Sequence, residues 1–202
     1  MQYLKDEIKE NIVRSALNEF KEKGFDGASI RSIAQNAKMT SGNIYRYFDS
    51  KEKLFEFIMN PVYEKLVQFG ERFDNEVISS KVSFVNFDSM TMIKEIYGDI
   101  LETFSQYGTE LMILYDKSEG TRFSGIIDRI KAIIYKILKE VYLYELKNNG
   151  KEVKDEFILY VIASSFVEGI GDILRNVSDG GRIRNLVESY AEVIFHNLSE
   201  RI

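Results

Sequence analysis

Pro61 is the only proline among 202 residues. Proline lacks a backbone N–H and clashes with the preceding helical turn, so it interrupts helices wherever it falls. A chain with one proline and long runs of Leu, Ile, Lys and Glu favours a mostly helical fold. The apolar periodicity agrees. Ile8, Ile12, Val13, Ala16, Leu17 and Phe20 form one stripe of a helix over residues 1–23. Gly24 follows a lysine-rich last turn and reads as its stop.

Ser29 is placed to cap a short second helix whose buried side is Ile30, Ile33, Ala34 and Ala37. A tight turn through Lys38 and Met39 leads into a third helix over 40–48. Asp49 and Glu52 have capping-box spacing and start a fourth helix near Ser50. That helix runs toward Phe73, with a kink expected at Asn60-Pro61. Residues 74–90 lose helical periodicity and read as a loop or a frayed end. Helical patterning returns at 91–107, 109–116, 123–146, 155–176 and 183–198, with turns at KNNGKEVKD and SDGG. The expectation is an all-α fold of about nine helices, a small N-terminal bundle followed by a larger one.

Composition narrows the function classes. There is no cysteine, hence no disulfide framework, no thiolate zinc site and no cysteine nucleophile. The first residues, MQYLKDEIKENIV, carry charges throughout and lack the apolar core of a signal peptide. No run is read as approaching the roughly 20 apolar residues of a membrane span. A cytoplasmic protein is expected. The net charge is -5, yet residues 29–55 carry five basic residues against two acidic. That local surplus of three leaves -8 for the remainder, the asymmetry of an anion-binding module on an acidic body.

The basic surplus centres on TSGNIYRYFDSKEKLF, residues 40–55. On a helix advancing about 100° per residue, Thr40, Ile44 and Phe48 share the side that faces the core. Gly42, Asn43 and Arg46 fall outward, flanked by Tyr45 and Tyr47. Gly42 lets the helix start approach a duplex closely, and Thr40, Ser41 and the first N–H groups can bond phosphate oxygens. Asn43 and Arg46 are residue types that read base edges in a major groove. The tyrosine hydroxyls suit flanking phosphates, and Lys51 adds its charge at the next helix start. With the short helix before it, carrying Ser29 and Arg31, this is a helix-turn-helix arrangement. The pattern alone leaves two readings open, a DNA-reading face or a helical hairpin whose polar face meets water.

Residues 12–54 resemble the DNA-binding domain of the TetR family of bacterial repressors. The resemblance is carried by Ile12, Ala16, Phe20, Gly24, Phe25, Ala28-Ser29, Ile33-Ala34, Ala37, Thr40-Ser41-Gly42, Ile44-Tyr45, Tyr47-Phe48 and Ser50-Lys51-Glu52 with Leu54. Met39 stands where valine is common. The resemblance implies a three-helix DNA-binding domain over 1–50 and a ligand-binding and dimerisation domain over 51–202. It implies a homodimeric transcriptional repressor that leaves a palindromic operator when a small-molecule effector binds. By the same resemblance Tyr45, Tyr47 and Lys51 contact phosphate, Thr40 to Asn43 approach the groove, and Arg31 stands where some members use an arginine on a base. The candidate DNA contacts are thus Ser29, Arg31, Thr40, Ser41, Gly42, Asn43, Tyr45, Arg46, Tyr47 and Lys51.

LMILYDKSEGTRFSGIID, residues 111–128, resembles a stretch of a Gram-positive branch of that family, without naming a ligand. Aromatics and methionines are dense in the larger bundle, and Phe69, Tyr97, Phe104, Met112, Tyr115, Phe123 and Tyr135 are candidate pocket residues for a flat or apolar effector. Core packing is the competing reading of each. Ala163, Val167, Ile170 and Leu174 form one stripe, with Gly169 and Gly171 beside it. Leu186, Tyr190, Val193 and Asn197 form another, and the resemblance implies that both lie in a four-helix subunit interface. Asn60-Pro61 reads either as a hinge between reader and sensor or as a static kink.

No catalytic constellation assembles. The sole histidine, His196, has Glu192 one turn before it, which reads as a surface or interface pair rather than a metal site. Gly169 and Gly171 lack the strand and phosphate loop that would give a glycine pair catalytic meaning. No cofactor, no metal and no enzyme activity are expected. A helical small-molecule-binding protein, a transcriptional activator and an all-α enzyme are the alternatives.

Overall fold

The computed structural model describes residues 2–79, 89–148, 150, 155–196 and 198, among which there are eight α-helices and no strand. In chain order they are α1 (Gln2–Gly27), α2 (Ile30–Asn36), α3 (Ser41–Tyr45), α4 (Lys51–Ser79), α5 (Ser89–Asp116), α6 (Ile126–Asn148), α7 (Phe157–Asn176) and α8 (Gly180–Phe195). The all-α expectation holds. Eight helices stand against about nine because the expected segments 91–107 and 109–116 are one helix bent at Tyr107, whose φ of -135° and ψ of 34° leave helical geometry. α4 passes through Pro61 and continues beyond Phe73 to Ser79. Residues 80–88, in the stretch expected to be a loop, lie outside the described residues.

Two compact units share these helices. The first comprises Met1–Glu64 with Tyr107–Ile126, the second Lys65–Gln106 with Ile127–Ile202. The expected boundary at residue 50 falls inside the first unit. In that unit Ile12, Ala16 and Phe20 are fully buried, as their spacing of four predicts for one helical face. α1 packs on α2, and α2 on α3. Phe55 of α4 gathers the aromatic core, with its ring centroid 4.8 Å from that of Phe20, 5.0 Å from Phe25 and 5.8 Å from Phe123. Such edge and tilted pairs each add about 0.5–1.5 kcal/mol beyond area burial.

Gly24 bends α1 at φ 69°, a left-handed value that side-chain-bearing residues adopt at a cost. The bend frees carbonyls in the preceding turn. Lys117, at the end of α5, donates its ammonium to the carbonyls of Lys21 and Glu22, and its own carbonyl accepts from the Phe25 N–H at 3.2 Å. The segment after α5 therefore completes the end of α1.

In the second unit, Leu159, Ala163, Phe166 and Ile170 of α7 and Val187, Ala191 and Phe195 of α8 are buried. The Phe166 ring meets Phe195 at 4.9 Å, and the Tyr142 hydroxyl donates to the Phe195 carbonyl at 3.3 Å. α7 is 20 residues long and apolar enough by composition to cross a membrane, contrary to the expectation that no such run exists. Its buried apolar side and the ion pair of Glu168 with Lys131 are the features of a core helix.

Candidate nucleic-acid interface

The supporting helix α2 is fixed at both ends. Ser29 is extended (φ -130°, ψ 141°) and its Oγ accepts the Ser32 N–H at 3.1 Å, as an N-cap must. At the other end, Asn11 Nδ2 of α1 donates to the Ala37 carbonyl at 2.9 Å. Ile30, Ile33 and Ala34 face inward, and Arg31 is exposed.

Glu19 links α1 to this cap, and sequence reasoning missed it. Its carboxylate is 2 % exposed and accepts from the Ser32 hydroxyl at 2.8 Å, the Lys23 ammonium at 2.8 Å and the Ser29 N–H at 3.5 Å. Burial acts to raise its pKa, but these donors outweigh burial and hold it below the usual glutamate range. The signal was present in the chain, since Glu19 lies beside Ala16 and Phe20 near the apolar stripe, where a lone carboxylate needs partners.

The turn after α2 is tight. The Met39 N–H reaches the Ala34 carbonyl at 2.9 Å, which forces Lys38 to φ 56°. Thr40 then caps α3, its Oγ1 accepting the Asn43 N–H at 3.4 Å. α3 is shorter than expected, ending at Tyr45, with Tyr47 and Phe48 held by N–H bonds to the Ile44 carbonyl. Ile44 and Phe48 are buried anchors. Gly42, Asn43, Tyr45 and Arg46 are exposed, while Ser41 and Tyr47 are half-buried. The outward set read from the helical wheel therefore lies on one solvent-facing stretch behind a two-residue anchor.

The start of α4 differs in detail from the expectation. Ser50, not Asp49, supplies the cap, its Oγ accepting the Lys53 N–H at 3.2 Å. The Ser50 hydroxyl also bonds the Glu52 carboxylate and draws its pKa below the usual range. Lys51 Nζ donates to the Phe25 carbonyl at 2.8 Å and the Ala28 carbonyl at 3.2 Å, and Lys53 pairs with Glu56 at 2.7 Å. Of the five basic residues in 29–55, the side chains of Arg31, Lys38 and Arg46 make no hydrogen bond or ion pair with any described residue.

The candidate pocket residues are divided between the units. Met112, Tyr115 and Phe123 belong to the first; Phe69, Phe104 and Tyr135 belong to the second. Phe123 is 1 % exposed and packed on Phe55 and on Tyr63 at 5.1 Å. Phe69 packs against the buried pair Ile137 and Val141, and the Tyr135 ring meets Tyr160 at 5.8 Å. The side chain of Tyr97 lies outside the described residues. Asn60 Oδ1 accepts from Arg122, whose guanidinium also lies 4.7 Å from the Phe123 ring. This contact ties α4 beside Pro61 to the segment after α5.

The expected interface residues also divide. Ala163, Val167, Ile170 and Leu174 are buried within the chain, so this stripe packs internally. Gly169 serves the same packing. A Cβ there would stand 2.4 Å from the ring of Tyr190, whose hydroxyl donates to the Ser165 carbonyl at 2.7 Å. On α8, Leu186 and Val193 are exposed, Tyr190 is half-buried, and Asn197 lies outside the described residues. His196 is exposed, and among the described residues no cluster of three or more metal-ligating side chains occurs.

Comparison with known proteins agrees with this geometry. The model of "Bacterial regulatory proteins, tetR family" matches residues 12–58. The chain is 27% identical over 155 residues to the probable HTH-type transcriptional regulator YttP of Bacillus subtilis, covering 77% of this chain and 70% of YttP. It is 23% identical over 151 residues to the biofilm operon icaADBC HTH-type negative transcriptional regulator IcaR of Staphylococcus aureus, covering 74% and 76% respectively. The crystal structure of the TetR family transcriptional regulator PfmR from Thermus thermophilus superposes with a TM-score of 0.63 at 19% identity, covering 93% of this chain and 98% of that one.

Proposed function

We propose that this chain is a DNA-binding transcriptional regulator of the TetR family of bacterial regulatory proteins, acting as a homodimeric repressor released from a palindromic operator by a small-molecule effector. The observation that carries the DNA-reading part is the outward stretch of α3. Gly42, Asn43, Tyr45 and Arg46 are exposed in front of Ile44 and Phe48, with Arg31 and Lys38 uncommitted nearby in sequence. Asn43 and Arg46 contact bases; Thr40, Ser41, Tyr45 and Tyr47 bind the flanking phosphates.

The dimer rests on apolar residues that the second unit leaves in water. Phe157 and Val161 of α7 and Leu186 and Val193 of α8 are all exposed, with Val193 at 70 %. A two-fold dimer through these helices presents two reading helices to two half-sites. The effector is a flat or apolar molecule held in the second unit, where Phe69, Phe104 and Tyr135 remain half-buried. The relatives are transcriptional regulators rather than enzymes, and the same role is inferred here, in the cytoplasm.

The test is to mix the purified protein with fragmented genomic DNA of its own organism at two salt concentrations and sequence what is retained. Enrichment of a short palindrome that survives the higher salt is expected. Retention only at low salt, with no shared sequence, would reduce the protein to general phosphate affinity and overturn the proposal.

A further inference from the structure

Lys51 opens α4, where the family resemblance makes it a phosphate contact. In the DNA-free protein its ammonium is already engaged. It donates to the Phe25 and Ala28 carbonyls and stands 4.4 Å from the centroid of the Phe25 ring. A lysine ammonium has three protons, and two are directed at these carbonyls. The Phe25 carbonyl lies in the last turn of α1, after the backbone leaves helical geometry at Gly24, and the Ala28 carbonyl in the turn that joins α1 to α2, before Ser29 caps α2. Hydrogen bonds from a charged donor in a partly buried place are among the stronger ones a chain makes. An ammonium that swung out to a phosphate would leave two carbonyls without their donor.

The same turn is held from its other side by Glu19, which accepts from the Ser29 N–H and the Ser32 hydroxyl. The two side chains complement each other, one supplying donors to the turn and the other an acceptor to the helix cap. Phosphate neutralisation does not need Lys51, because the side chains of Arg31 and Lys38 are exposed and make no ion pair with any described residue. We propose that Lys51 is a positioning residue, which fixes the α1–α2 turn and through it the setting of the reading helices, while Arg31 and Lys38 carry the charge that meets the phosphates. The proposal rests on the DNA-reading function argued above.

Salt dependence separates the two roles, since each phosphate contact adds about 0.9 to the slope of log affinity against log salt. The probe is a duplex retained in the genomic selection, titrated with wild type, Lys51→Ala and, as the phosphate-type control, Lys38→Ala. Lys51→Ala is expected to lower affinity about tenfold with an unchanged slope and to lower Tm, whereas Lys38→Ala reduces the slope by about 0.9. A Lys51→Ala slope reduced by about 0.9 at unchanged Tm overturns the proposal, as does no change in either quantity. If Lys51→Ala does not fold, amine labelling of the wild-type protein decides. Positioning requires Lys51 to label slowly against Lys53 without DNA, and no more slowly with it. Fast labelling that DNA suppresses overturns the proposal. A wild type that retains no duplex at either salt instead overturns the DNA-reading function, while labelling of the free protein still reads the state of Lys51.

Discussion

The α1–α3 region and the α7–α8 pair both bury a regular apolar stripe, yet they leave different surfaces to water. Around α2 and α3 the polar groups that turn inward find partners within the unit: Asn11 on the Ala37 carbonyl, Glu19 on the α2 cap, Lys51 on the α1–α2 turn. What α3 and its C-cap Arg46 leave outside is a glycine, an amide, a tyrosine and a guanidinium. In α7 and α8 the interior stripe is complete, with Ala163 and Val187 fully buried, and apolar side chains still face solvent, Phe157 at 63 % and Val193 at 70 %. The first surface suits a hydrated polyanion, the second another apolar surface. Within one chain, then, the two remaining faces imply two different kinds of partner.

The largest effect should come from confusing the two sides of the α7–α8 pair. Ala163→Glu places a carboxylate in the interior at a cost of at least about 4 kcal/mol, and loss of the cooperative thermal transition is expected. Val193→Glu changes only an exposed position, so the helical circular dichroism should persist while sedimentation shifts from dimer to monomer. If both variants stay folded and dimeric, the division between interior and interface is misplaced.

Next comes the polar link in the DNA-binding unit. Glu19→Ala leaves the Ser29 N–H, the Ser32 hydroxyl and Lys23 without their acceptor and should cost about 1–3 kcal/mol in denaturant titration. Because the folded-state pKa of Glu19 is depressed, its contribution is complete above the ordinary glutamate value and is lost as the pH falls through the depressed one. Glu19→Gln should therefore flatten the acid side of the stability profile. An unchanged profile would mean that the carboxylate charge is immaterial there.

The smallest effect belongs to the turn between α2 and α3. Lys38 holds φ 56°, and a glycine there removes about 1–2 kcal/mol of strain while losing about 0.5–1 kcal/mol to chain entropy. Lys38→Gly should raise stability by roughly 0.5–1 kcal/mol. A lower Tm would show that the lysine side chain supports the fold in a way its exposure does not suggest.

Much of the first unit was legible because its roles are local. A cap at Ser29 and a stripe through Ile12, Ala16 and Phe20 are fixed by spacing alone, and the structure places them as expected. Lys51 was harder. Its acceptors, the carbonyls of Phe25 and Ala28, lie more than twenty residues away in sequence, so the side chain read as free positive charge. The break in pattern at Tyr107 looked like a helix end, since a bend and a terminus interrupt periodicity alike. On α7 the stripe of Ala163, Val167, Ile170 and Leu174 is as apolar as any interface, and periodicity carries no information about whether the covering surface belongs to the same chain. Aromatic density carries no more information for Phe123, because a core ring and a pocket ring have the same composition.

The most direct test is a selection from randomised duplexes, run in parallel on wild type, Asn43→Ala and Arg46→Ala. Wild type should yield a palindrome, and each variant should relax the preference at a symmetric pair of positions, by about 1–3 kcal/mol for each base no longer read. The same preference from all three proteins would contradict the placement of the reading face on α3.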